Sequence, residues 1–239
     1  GLAQKYLQLA QRLEPRDPRG PLYLGRALAA QAKLAEAQKV LEDGAHRFPQ
    51  IPDLFTVLAS VRFDRGDHKG SIEAWRGALR AVPTTLGKGI PAAHIATALG
   101  RALMADGRWK ESVKPLSLAV RLLPRDNEPA DLLVAANLHS GNNAAAVAEL
   151  EREMALNPAR SDVRGKLAEL LARMGKFSEA ERQFTQLLAN KPGDTNAMMD
   201  LAQLLEQHKA YPRALTLWQK ISLILPDDPQ PNLHTAVVL

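Results

Sequence analysis

The 239-residue sequence predicts an all-α solenoid, one helix pair copied end to end, on three observations. First, Pro15, Pro49 and Pro83 stand 34 residues apart, as do Pro124, Pro158, Pro192 and Pro226. Second, only the step from Pro83 to Pro124 breaks the spacing, at 41 residues, which is one period plus seven. Third, alanine and leucine dominate, aromatic residues make up 5%, and glycine and proline fall at punctuation points, a helix-forming composition. In such an array each unit packs on its neighbours, so length does not force a division into domains.

With the recurring proline at position 32 of a 34-residue unit, six complete units cover 18–51, 52–85, 93–126, 127–160, 161–194 and 195–228. Position 7 is leucine throughout: Leu24, Leu58, Leu99, Leu133, Leu167 and Leu201. Position 8 is small in five units (Gly25, Ala59, Gly100, Ala168, Ala202) and Val134 in the fourth. Position 20 is small in all: Ala37, Ser71, Ser112, Ala146, Ala180 and Ala214. Position 24 is large and apolar: Leu41, Trp75, Leu116, Leu150, Phe184 and Trp218. Small residues at 8 and 20 let two helices approach, and the residues at 7 and 24 fill the seam between them. Gly66, Gly107, Gly141 and Gly175 hold position 15, where a left-handed residue ends the first helix. Proline at 32 stops the second helix. Each unit is therefore two helices of about 13 residues.

This register resembles the tetratricopeptide repeat over essentially the whole chain. The resemblance rests on positions 8, 20 and 32, and in part on 27, where Gly44, Ala78 and Ala119 fit while Glu153, Leu187 and Ile221 depart. It implies a right-handed superhelical solenoid of antiparallel helix pairs, with a concave groove lined by the first helix of each unit. Residues 1–17 fit the second helix of a preceding unit and 229–239 the first helix of a following one, so the array is expected to be a piece of a longer solenoid. Its exposed end helices are expected to be apolar on one face and able to pair between copies.

Two irregularities stand out. The insertion at 84–92 contains two glycines and a proline and reads as an inter-repeat loop. Pro115 falls midway along the second helix of the third unit and is expected to kink it. The fourth unit departs most from the pattern, with Val134, Asn137, Asn143 and Glu153, and looser packing is expected there.

Chemistry is sparse. Cysteine is absent, which excludes disulfides and thiolate metal sites. The six histidines are scattered and none has a histidine partner one helical turn away. Gly87-Lys88-Gly89 lacks the earlier glycine and the following Ser/Thr of a phosphate loop. No nucleophile elbow or dinucleotide fingerprint occurs. The expectation is no catalytic residue, no metal and no cofactor. Trp75, Trp109 and Trp218 all fall at packing positions, so nucleic acid is not expected as a ligand and sugar stacking is disfavoured. No run of about 18 apolar residues is present to span a membrane.

Charge is uneven. Residues 1–126 carry 20 Lys/Arg against 12 Asp/Glu, and residues 127–239 carry 11 against 14. The resemblance places positions 2, 5, 9 and 12 on the groove. These include Arg19, Leu22, Arg26, Ser60, Phe63, His94, Thr97, Arg101, Asp131, Glu169 and Gln203, a groove basic at one end and acidic at the other. Arg26 and Arg101 could offer paired donors to a carboxylate. The Lys/Asn/Arg clamp of chaperone-binding repeats is missing, since positions 5 and 9 read Leu22/Arg26, Thr56/Ser60 and Thr97/Arg101. The asparagine ladder of the O-linked N-acetylglucosamine transferase is missing as well.

The expected function is a non-catalytic scaffold that binds another protein in its groove. The array looks most like the periplasmic repeat regions of outer-membrane exopolysaccharide export proteins of the Pel, cellulose or poly-N-acetylglucosamine kind. That resemblance implies a periplasmic location at the outer membrane, a deacetylase or hydrolase as partner, and passage of polysaccharide nearby. The alternatives are a cytoplasmic assembly scaffold and a regulatory array fused to a glycosyltransferase-type domain.

Overall fold

The computed structural model describes residues 14–82 and 90–238, and in these stretches the chain forms thirteen helices and no strand. They fall into two compact units divided between Ser140 and Gly141. The first unit holds α1 (Arg19–Ala30), α2 (Leu34–Arg47), α3 (Pro52–Asp64), α4 (His68–Ala81), α5 (Ile90–Ala105), α6 (Trp109–Leu122) and α7 (Asn127–His139). The second holds α8 (Asn143–Leu156), α9 (Ser161–Arg173), α10 (Phe177–Asn190), α11 (Thr195–Gln207), α12 (Tyr211–Ile224) and α13 (Pro229–Val238). Within each unit every helix packs on the next in sequence, and first helices also touch one another: α1 on α3, α5 on α7, α9 on α11.

The turns explain the regular pairing. Three residues join the two helices of a pair, and the middle one is left-handed at Gly66, Gly107, Gly141 and Gly175, with φ between 73° and 79°. Ala32 and Lys209 occupy the same position and adopt φ of 58° and 59° without being glycine. The residue after it returns its N–H to a carbonyl five residues back, as in Asp67 to Arg62, Arg108 to Leu103 and Lys176 to Leu171. This closes the helix end with its carbonyls satisfied. A left-handed conformation costs an L-residue about 1–2 kcal/mol. Lys209→Gly is therefore expected to stabilise the second unit by about 0.5–1 kcal/mol, after the entropy glycine adds to the unfolded chain. A lowered urea midpoint for that variant would refute this account of the turn.

The second helices end for a different reason. Phe48, Leu123, Asn157, Lys191 and Leu225, each before a proline, leave the helical region with ψ between 64° and 83°. The proline ring disfavours a helical conformation in the residue before it.

The core follows the repeat positions. All six position-20 residues are 0% exposed, and the six position-7 leucines are buried. The Ser71 hydroxyl donates to the Ala59 carbonyl at 2.8 Å, and Ser112 to the Trp109 carbonyl at 2.7 Å, so the two serines bury no unsatisfied group. Glycine at position 8 makes room for position 24. A Cβ on Gly25 would lie 2.5 Å from the Leu41 side chain, and one on Gly100 2.5 Å from Leu116.

Several expectations change. Ile90, Pro91 and Ala92, assigned to the insertion loop, form the first turn of α5, which has 16 residues where α3, α7, α9 and α11 have 13. Proline fits there because the first turn of a helix has N–H groups without helical partners. The remainder of the insertion and the expected helix over residues 1–13 lie outside the described residues. Pro115, where a kink is expected, lies inside α6 and is buried in the first unit, and the α-helix runs through it. Leu22 and Thr97, expected on the groove, are buried: Leu22 packs in the core, and the Thr97 hydroxyl donates to the Ala93 carbonyl. Trp75 and Trp109 are half-buried, and only Trp218 is enclosed. Trp109 stacks on His139 at 3.9 Å, and Trp218 stacks on His234 at 4.3 Å. At the last helices Leu223, Leu233 and Val237 are exposed.

Candidate functional site

Each unit carries a cleft that opens beside its first helices. In the first unit Ser60, Phe63 and Asp64 of α3, Trp75 of α4, and Ala98, Arg101, Ala102 and Ala105 of α5 surround a space of about 420 Å³. Half-buried Trp75 lines this space beside the three alanines, and Phe63 is 43% exposed. Ser60 donates its hydroxyl to the Thr56 carbonyl at 3.2 Å. Arg101 reaches Glu128 of α7 at 3.2 Å, and both are well exposed. Such a pair holds little energy, so either charge is open to exchange with a partner.

In the second unit a larger cleft of about 680 Å³ lies between α9 and α11. Its walls include Glu169, Ala172 and Arg173 of α9, Asn196, Met199, Asp200, Gln203 and Leu204 of α11, and Phe184 of α10 below. A neighbouring recess of about 300 Å³ shares Glu169, Phe184 and Asp200 and adds Asp194, which caps α11 by accepting from the Ala197 N–H at 3.1 Å. Burial, then the charges of Glu169 and Asp194, raise the Asp200 carboxyl above the ordinary aspartate value.

A carboxyl with a raised folded-state value adds stability that is complete below its unfolded value and lost as pH rises through the folded one. At neutral pH Asp200 therefore works against the fold. Asp200→Asn is expected to raise the melting temperature at pH 7 and to leave it unchanged at about pH 3, below the usual aspartate range. An equal effect at both pH values would show that charge is not the cause.

The structure gathers some of the sequence-derived groove residues and scatters others. Ser60, Phe63 and Arg101 line the first cleft, and Glu169 and Gln203 the second. Arg19 lies outside both, paired with Asp17 at the start of α1. Arg26 and His94 are exposed on α1 and α5, and Asp131 is half-buried on α7, all three away from these clefts. Trp75, Phe184 and Asp200 were not anticipated as lining residues. Position 24 looked like pure core, and only the run of small residues at Ala98, Ala102 and Ala105 signals that a ring beside it lines a cleft. Among the described residues no group of three or more histidine, aspartate or glutamate side chains could hold a metal. Nor is any helix there long and apolar enough to cross a membrane.

Helix pairs with a fixed internal register, a left-handed residue at each turn and clefts along the first helices define an α-helical repeat protein. Two family models, both described as tetratricopeptide repeat, match residues 22–85, 56–127 and 166–230, and residues 137–192. The chain belongs to the tetratricopeptide repeat family. No curated protein matches it in sequence. Among solved structures it is similar to a chain of Naa15/Naa10 bound to HypK-THB, at 14% identity and a TM-score of 0.79, over 98% of this chain and 36% of that one. It thus spans little more than a third of that protein's length. It is similar to MamA at 22% identity and a TM-score of 0.59, over 75% and 94%. It is similar to pilF of Pseudomonas aeruginosa at 18% and 0.50, over 92% and 96%. At these identities the likeness is one of fold.

Proposed function

We propose that this chain is a non-catalytic scaffold that binds a segment of another protein along its first helices. Repeats of this family serve generally in protein interaction. The observation that carries the reading is the first cleft, where Phe63 and Trp75 offer an aromatic floor beside Arg101. Exposed aromatic and arginine side chains around a depression are the usual anchors of a protein contact. The Naa15/Naa10 neighbour, bound to HypK-THB, is an example of this fold in an assembly. The narrower proposal follows the sequence resemblance. The array sits on the periplasmic side of the outer membrane and brings a polysaccharide deacetylase or hydrolase to an exopolysaccharide export porin.

The test is affinity capture from separate periplasmic and cytosolic extracts, read by quantitative mass spectrometry. The bait is the wild-type chain or a Phe63→Ala/Arg101→Glu/Gln203→Lys variant. A periplasmic enzyme enriched at least about tenfold on wild type over the variant is the expected result, since anchors of this kind contribute 2 kcal/mol or more. Partners from the cytosol alone would defeat the narrower proposal. No protein sensitive to the substitutions would defeat the scaffold reading.

A further inference from the structure

The second cleft has an apolar wall and two carboxylates that form no ion pair among the described residues. Phe184, Met199 and Leu204 supply the wall, and Glu169 and Asp200 face the space from α9 and α11. Among the described residues neither carboxylate makes an ion pair or a side-chain hydrogen bond. Lys166, Arg173 and Lys191 also line this region, yet none of them forms an ion pair with Asp200, whose carboxyl is raised by burial and by the charges of Glu169 and Asp194. Four other carboxylates of this unit do find cations. Glu153, Asp162, Glu179 and Glu181 are each paired with Arg160, Arg160, Lys176 and Arg213.

A half-buried carboxylate beside two like charges costs stability, as worked out above. Groups whose local chemistry opposes the fold are expected at functional sites. An arriving ammonium or guanidinium would be attracted by both carboxylates, Asp200 half-buried and Glu169 exposed, and salt would weaken that attraction. The aliphatic stem of lysine or arginine suits the Met199 and Leu204 wall, with its head on the carboxylates.

Resting on the scaffold reading, we infer that the cleft between α9 and α11 receives a lysine or arginine of the partner segment, flanked by aliphatic residues, between Glu169 and Asp200. The first cleft does not share this specificity, since its charged lining is Asp64 and Arg101 and its floor is aromatic.

The experiment selects a displayed library of random twelve-residue peptides on the whole chain and, in parallel, on Glu169→Gln/Asp200→Asn. That variant removes like-charge repulsion, so it should fold at least as well as wild type, which circular dichroism checks. Recovered peptides are measured by fluorescence anisotropy at low and high salt. The expected peptides carry Lys or Arg beside Leu, Ile or Val and bind the variant at least about tenfold more weakly. They also lose affinity when that one basic residue is changed to alanine and when salt is raised. Peptides without a basic residue, or peptides that bind wild type and variant equally, would overturn the inference and leave the scaffold reading standing. Recovery of no peptide of any kind would overturn both.

Discussion

Phe184→Ala is expected to cost the second unit about 3–5 kcal/mol, the usual loss when a buried phenylalanine is truncated. Phe184 stands at position 24 of its repeat and is 2% exposed. The small residues Ala168 and Ala180, each 0% exposed, bring α9 and α10 close enough that only the ring fills the seam. An alanine there would leave a hole that α-helical backbones cannot collapse into. Such a loss is a large part of the 5–15 kcal/mol that typically holds a domain folded. Because each repeat leans on its neighbours, the effect should spread through the second unit. The same ring borders both recesses of that unit, so binding there should weaken along with stability. Urea unfolding followed by far-ultraviolet circular dichroism measures the loss. A change below about 1 kcal/mol would mean the seam is not closed by position 24.

Arg160→Ala carries the second large effect, about 3–5 kcal/mol, because it strands a buried carboxylate. Glu153 lies at position 27, where three other repeats have Gly44, Ala78 and Ala119. Its side chain is 4% exposed and meets the Arg160 guanidinium, itself 14% exposed, at 2.6 Å. Arg160 also holds Asp162 at 2.7 Å in the first turn of α9. The cation is therefore shared between the end of one helix pair and the beginning of the next. Glu153→Ala should behave quite differently. It restores the small residue usual at this position and removes the charge that needed compensation, so its cost should stay within about 1.5 kcal/mol. The double variant should recover most of what Arg160→Ala loses. If Arg160→Ala and Glu153→Ala were equally destabilising, the asymmetry that defines a buried ion pair would be absent.

These two sites mark how far the sequence can be read. Phe184 belongs to a column of residues whose size and period announce burial, and Trp218, Leu150, Leu116 and Leu41 are buried in the same way. Glu153 breaks its column, and read one residue at a time it implies loose packing. The compensating charge seven residues on follows no repeat period, so the ion pair shows itself only once the chain turns after Asn157.

The clefts were legible in the same partial way. Position 9 of each first helix reaches outward, and Ser60, Arg101, Glu169 and Gln203 all line clefts as residues at that position. Position 5 is mixed, since Leu22 and Thr97 are buried while Met199 lines the second cleft. Trp75 was read as core from its column, yet it is half-buried and lines the first cleft beside the alanines of α5.

What the sequence determines by itself is the repeat. Helix lengths, turn positions and the buried columns follow from local rules: small residues for close approach, a left-handed residue at each turn, proline at each stop. These act within one helix pair and recur every 34 residues. Only the tertiary structure decided which polar groups find partners, which position-24 ring lines a cleft, and that Asp200 stands half-buried beside the like charges of Glu169 and Asp194. The physical reason is range. Backbone stops and seam packing are set by neighbours in sequence, whereas charge balance and cleft shape depend on side chains brought together from adjacent repeats, whose identities the period does not constrain.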